Sequence, residues 1–251
     1  MRRTRHPLVQ VLLLAAGMLT LLGCSSSLKP WHSVELDLEY TARESGNIET
    51  LDDYLALENS VFNQLDEEIY DWAPTGPEYS LQRYSPSSAA DPRSLKPNWN
   101  RSFELGTDKP RGGILLLHGM SDSPYSLRAL GQSLNRQGFQ VVGLRLPGHG
   151  TAPAGMTSIH WEDLAAVTAL GMRHLADKVG DQPVHIIGYS TGAALALDYA
   201  MEASPDQQAT SLILISPAIG IHPTAALASW KRRFSALPGM KDMAWLQLEE
   251  E

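Results

Sequence analysis

The sequence predicts an α/β fold: a mostly parallel sheet with helices on both faces. Three observations carry this. Continuous apolar runs recur at GGILLLHG (112–119), QVVGLRL (140–146), PVHIIGY (183–189) and SLILISPAI (211–219). Unbroken runs, rather than alternating ones, are what strands buried on both sides require. Stretches with helical spacing lie between them, at 123–139, 161–179 and 191–202. Strand–helix alternation implies βαβ units, and right-handed crossovers put helices on both faces of the sheet. Finally, the 251 residues are 43% hydrophobic and 19% charged, enough for one sizeable core.

The chain starts with a targeting pattern. MRRTRH is basic, and Leu8 to Leu22 form an apolar run of 15 residues, short for a membrane span. The run ends in Leu21-Leu22-Gly23-Cys24, which resembles the lipobox of bacterial lipoproteins. That resemblance makes 1–23 a signal peptide and Cys24, the only cysteine, the acylated residue. Acyl chains would hold the protein on a bilayer. In the family's sorting rule an aspartate after the cysteine retains the protein on the inner membrane. Ser25 stands there instead, which implies the outer membrane, facing the periplasm.

Residues 24–98 read as a tether followed by a helical extension. The tether covers 25–46. Over 47–70, Ile48, Leu51, Leu55, Val61, Leu65 and Ile69 share one face of an acidic helix. Residues 73–97 carry five prolines and read as irregular chain. The core begins at 99 and runs to 220. WNRSFELG (99–106) can form an edge strand. GGILLLHG is the first buried strand. The helix over 123–139 has Ser123 as its cap, Pro124 at its first position and Gly138 closing it. QVVGLRL is the second buried strand, and a glycine- and proline-rich loop, PGHGTAPAGM, follows. Residues 161–179, 183–189, 191–202 and 211–219 complete the alternation. Residues 221–251 look like the start of a cap.

Charge narrows the function classes. Formal net charge is −8; Arg2, Arg3 and Arg5 are three of the 20 basic residues, so 17 remain against 28 acidic ones after the leader, or −11. Such a surface repels phosphate backbones, which excludes nucleic acid as an expected partner. Metal and dinucleotide motifs of the HExxH, CxxC and GxGxxG kinds do not occur in these contexts, so no cofactor is expected.

One motif carries chemistry. Gly188-Tyr189-Ser190-Thr191-Gly192 fits G-x-S-x-G. Alone the pattern is weak. Here it closes a strand and opens a helix, the context of a nucleophile elbow. Side chains at Gly188 and Gly192 would collide with the neighbouring strand and helix. An ordinary glycine-rich turn with a capping serine is the plainer alternative. Leu117-His118-Gly119-Met120 follows the first buried strand in the same way, and His118 is expected to brace that loop rather than to act as a base.

LLLHGMSDSP (115–124), LRLPGHGTAP (144–153) and HIIGYSTGAALALDYA (185–200), in this order and spacing, resemble the α/β-hydrolase superfamily, in its carboxylesterase and monoacylglycerol-lipase-like branch. The resemblance implies Ser190 as nucleophile and the backbone amides of Met120 and Thr191 as an oxyanion hole. It implies a carboxylic ester or lipid-like acyl substrate and no cofactor. Ser190 in place of an aspartate disfavours epoxide-hydrolase and dehalogenase chemistry. His149, in the GHG of 148–150, belongs to loop architecture.

The triad is incomplete by the family's order of serine, acid, histidine. After Ser190 the only histidine is His222. His6, His32, His118, His149, His160, His174 and His185 all precede the serine, and Asp198 and Asp206 are poor candidates for the acid. The expectation is therefore a truncated hydrolase, inactive as this chain, whose last strand is left as an apolar edge. A degenerate hydrolase, or one completed by another polypeptide, remains an alternative. So does a non-catalytic envelope lipoprotein that uses the scaffold for binding. Nothing in the sequence sets the oligomeric state.

Overall fold

A computed structural model describes residues 28–43, 46–86 and 88–219. The signal peptide 1–23, Cys24, His222 and the expected cap over 221–251 lie outside them. No helix among the described residues is long and apolar enough to cross a membrane.

Among the described residues five strands form one sheet: β1 (Phe103–Leu105), β2 (Gly113–Leu117), β3 (Gln140–Leu144), β4 (Val184–Tyr189) and β5 (Ser211–Ile215). Their order is β1-β3-β2-β4-β5. β1 is antiparallel to β3, with Phe103 opposite Gly143; every other pairing is parallel. All residues of β2 and β3 are buried, as their unbroken apolar runs predict. The helices are α1 (Pro30–Ser33), α2 (Leu51–Glu68), α3 (Arg128–Arg136), α4 (Trp161–Val179) and α5 (Thr191–Glu202). On one face, Leu127, Leu130 and Leu134 of the α3 region pack on Ile114, Leu116, Val141 and Ile187. On the other, Leu164, Val167 and Leu175 of α4 and Leu195 of α5 cover Leu115, Val142 and Ile186.

The expected helix over 123–139 divides into a 3-10 turn, Pro124–Leu127, and α3. Ser123 does not cap it. Its hydroxyl donates instead to Asn100 Oδ1 at 2.7 Å, tying the loop after β2 to the chain before β1. α2 starts at a capping box: the Asp53 amide donates to Thr50 Oγ1 at 3.1 Å and the Thr50 amide to Asp53 Oδ2 at 3.0 Å.

The tether expectation does not hold for residues 30–43. Trp31, Leu36 and Tyr40 are buried, and Trp31 stacks on Tyr84 with centroids 5.1 Å apart. Pro30–Ile221 form one compact unit, so the helical extension belongs to the same body as the sheet. Tyr40, Leu51 and Tyr54 join Leu144 and Leu146 in one apolar cluster. Arg145, between Leu144 and Leu146 in the chain and fully buried, has Glu39 Oε1 2.8 Å from Nη2 and Glu58 Oε2 3.2 Å from Nε. Desolvation disfavours the charge of Glu39, but Arg145 and the hydrogen bonds outweigh it and hold the carboxyl below its usual range. Desolvation likewise opposes the charge of Arg145, and the Glu39 carboxylate more than offsets that.

Candidate active site

The site is a corner. β4 ends at Tyr189, α5 begins at Thr191, and Ser190 between them has φ 53° and ψ −113°, a left-handed conformation that a side chain adopts only under constraint. The constraint is visible. The Ser190 amide donates to Ile215 O at 2.9 Å, and Ser190 O accepts from Ala193, Ala194 and Ala218 amides at 3.1, 3.2 and 3.2 Å. The corner is thus bolted to α5 on one side and to the exit of β5 on the other. A Cβ at Gly188 would lie 2.3 Å from Gly192 O, and one at Gly192 would lie 2.2 Å from Leu117 O. Backbone contact leaves no room for a side chain at either glycine.

The loop after β2 meets this corner. A Cβ at Gly119 would fall 3.3 Å from Ser190 Cβ and 3.0 Å from the Tyr189 ring. Gly119 therefore passes directly beside the serine. His118, fully buried beneath it, fixes the loop's orientation. Its Nε2 accepts from the Leu146 amide at 3.0 Å, so the proton is on Nδ1, which donates to Gly119 O at 2.9 Å. The Asp122 amide also donates to Gly119 O, at 3.3 Å. In a trans peptide the carbonyl and the next amide point opposite ways. Holding Gly119 O down toward His118 turns the Met120 N–H the other way. Neither the Met120 nor the Thr191 amide donates a hydrogen bond to another described residue. Thr191 opens α5, so its amide is among those a helix start leaves unsatisfied.

His118 is a structural histidine. Burial, and next the neighbouring His149, push its pKa down to about 3, and both ring nitrogens are occupied. His149 donates from Nδ1 to Pro147 O at 2.8 Å, and its ring lies 5.2 Å from that of His118. Its Nε2 is buried without a partner among the described residues. Burial again is the main cause of its lowered pKa. The remaining histidines are elsewhere: His160 starts α4, with its amide donating to Asp163 Oδ2 at 2.7 Å; His174 contacts Glu104 at 3.1 Å; His185 contacts Ser211 Oγ at 2.9 Å. Among the described residues no imidazole and no carboxylate is hydrogen-bonded to Ser190. Nor do three His, Cys, Asp or Glu side chains converge as metal ligands would. A cavity of about 370 Å³ between α4 and α5 is walled by Ala165, Leu195, Asp198 and Tyr199 and does not include Ser190.

What sequence reasoning missed lies in support. Arg145, Arg83 and Tyr84 were not singled out, yet they hold three successive carbonyls of the loop that carries His149. Arg145 Nη1 donates to His149 O at 3.0 Å, Arg83 Nη2 to Gly150 O at 2.9 Å, and Tyr84 OH to Thr151 O at 3.1 Å. An arginine at the end of an otherwise apolar strand was the one available signal.

A parallel sheet ending in a strained serine corner, overhung by a glycine loop, defines an α/β-hydrolase. The comparisons narrow it: the Hydrolase_4 family, described as serine aminopeptidase, S33, matches residues 108–248, and the chain belongs to that family. The thermostable monoacylglycerol lipase of Bacillus sp. (strain H-257) is 32% identical over 114 residues, 45% of this chain and 44% of that protein. Lipase LipV of Mycobacterium tuberculosis is 33% identical over 108 residues, 43% of this chain and 38% of that protein. The chain thus spans less than half the length of these curated relatives. A crystal structure of the monoacylglycerol lipase of Paleococcus ferrophilus is 21% identical, with a TM-score of 0.43, covering 55% of this chain and 51% of that one.

Proposed function

We propose that Ser190 is the nucleophile of a carboxylic ester hydrolase acting on lipid-like acyl substrates. The left-handed backbone of Ser190 directly beside Gly119 supports this reading most. Ser190 Oγ attacks the ester carbonyl carbon while its proton passes to a base. The carbonyl oxygen becomes an oxyanion, and the amides of Met120 and Thr191 donate to it. Collapse breaks the ester C–O bond, and the departing alcohol takes the proton from the base. Water then repeats the sequence on the acyl-enzyme and releases the carboxylic acid. The base in this reading is a histidine; among the described residues no imidazole is hydrogen-bonded to Ser190. The relatives named above as lipases support the substrate class.

A fluorophosphonate probe on the full-length protein tests the reading. Ser190 is labelled, Ser190→Ala abolishes labelling, and p-nitrophenyl esters are hydrolysed by the first protein only. Labelling that survives Ser190→Ala would overturn it. Absence of labelling would favour a scaffold that binds without catalysis.

The same reading places the protein in the bacterial envelope, anchored to the outer membrane through an acylated Cys24 and facing the periplasm. The Leu21–Cys24 sequence supports it. Incorporation of labelled palmitate that is lost in Cys24→Ser is the expected outcome; incorporation in the variant excludes the anchor.

A further inference from the structure

Arg145 is a fully buried cation on the exit of β3, and the carboxylates that neutralise it come from the extension that precedes the family match at residue 108. Glu39 grips it through both oxygens, with Nη1 and Nη2 each 2.8 Å away. Glu58 takes Nε at 3.2 Å and accepts from Ser102 Oγ at 2.7 Å; that hydroxyl in turn accepts from the Arg145 amide at 2.8 Å. A well-packed apolar group in such a position is often no less stable than a buried ion pair, so stability alone does not account for the charge. The geometry suggests what does. Nη1, besides its bond to Glu39, also donates to His149 O, while Arg83 and Tyr84 hold the next two carbonyls. The near end of that loop gives its Leu146 amide to His118 Nε2, and His118 Nδ1 gives its proton to Gly119 O.

We propose that Arg145 is a positioning residue for the oxyanion loop. Set by Glu39 and Glu58 of the extension, it holds the 146–151 loop, and through His118 that loop fixes the direction of the Met120 amide. The extension is thereby a working part of the site. This rests on the esterase reading for its catalytic consequence, but the mechanical relay stands on geometry.

Two measurements separate the claims. The first needs no activity. Amide hydrogen exchange is followed by mass spectrometry in the wild type, Arg145→Met and Arg83→Leu; Arg83 is exposed, so that variant keeps the fold if Arg145→Met does not. Peptides covering 118–123 and 146–151 exchange at least tenfold faster in the variants, while those covering β2 and β4 keep wild-type rates. Unchanged exchange over 118–123 in a folded variant overturns the relay. The second uses the full-length protein. In Arg145→Lys, which keeps the charge without the fork, kcat for a p-nitrophenyl ester falls about 10- to 100-fold with KM within about twofold, as for a displaced reacting geometry. The preference for the ester over its C=S analogue shrinks in parallel, a change that general destabilisation does not produce. An equal loss on both analogues overturns the positioning role. If the wild type neither reacts at Ser190 nor turns over esters, the esterase reading fails while the exchange data still decide the relay.

Discussion

Single residues at the corner have costs set by what their atoms would touch. In Gly192→Ala the new Cβ would sit 2.2 Å from Leu117 O, a backbone atom that cannot swing away. The expected loss is about 3 kcal/mol or more. Gly180→Ala is the control: its φ is +60° and its ψ −126°, but nothing lies within 4 Å, so only the backbone cost of roughly 1–3 kcal/mol applies. Urea unfolding of both variants measures the difference, and equal losses would show that the corner yields. His118 makes a second residue-scale prediction. Its pKa falls from 6.5 to about 3 on folding, chiefly by burial. Below pH 6.5 the unfolded chain therefore binds a proton that the native state refuses. Stability is full above about pH 7 and drops as pH falls from 6.5 toward 3, by up to ~1.4 kcal/mol per pH unit. Glu39 acts in the same direction further down: its pKa lies below 4.5 because Arg145 and hydrogen bonds outweigh desolvation, so its contribution is lost as pH falls through that lower value. Unfolding midpoints at pH 7, 6 and 5 show this slope in the wild type, and His118→Asn reduces it to the share of His149. A slope unchanged by the substitution would mean that His118 is charged in the native protein.

At the scale of elements, most of the sheet was legible because burial on both faces leaves a plain signature. The runs at 112–119, 140–146 and 183–189 became β2, β3 and β4 with only their ends trimmed, and helices 161–179 and 191–202 matched residue for residue. Ser123 was misread because a serine before Pro124 satisfies the local rule for a cap, while the actual partner, Asn100, is 23 residues away. β5 shows both sides of this. Its apolar run was legible, and among the described strands it lies at the edge, with β4 as its neighbour. Leu212 and Leu214 pack on the core, whereas Ile213 and Ile215 remain 50% and 38% exposed on the other face. An exposed isoleucine on a strand edge stabilises little and invites association. Ile213→Lys in this chain therefore changes unfolding free energy by less than about 0.5 kcal/mol. It also lowers the concentration dependence of light scattering. A loss of 2 kcal/mol or more would mean that this face is covered.

The whole molecule is where sequence reasoning fell shortest. Residues 25–46 read as a tether because nothing local marks Glu39, and its partner Arg145 is 106 residues further on. A pairing at that distance leaves no periodicity and no spacing; only a buried arginine in search of carboxylates hints at it. Yet the pairing decides what can fold alone. A chain beginning at residue 99 contains every described strand and the serine corner, and the family match begins later still, at 108. That chain leaves Arg145 without Glu39 and Glu58, opens the cluster that Tyr40, Leu51 and Tyr54 share with Leu144 and Leu146, and removes Arg83 and Tyr84 from their carbonyls. Unpairing a buried ion pair costs about 3–5 kcal/mol, and the loss of three large side chains from a core adds several more. Together these approach the whole stability of an ordinary domain, about 5–15 kcal/mol. The chain from residue 99 is therefore expected to be insoluble or to lack a cooperative unfolding transition, while a chain beginning at Leu28 melts cooperatively. Circular dichroism melts of the two decide the matter, and a cooperative transition in the shorter chain would show that the sheet and its helices stand without the extension.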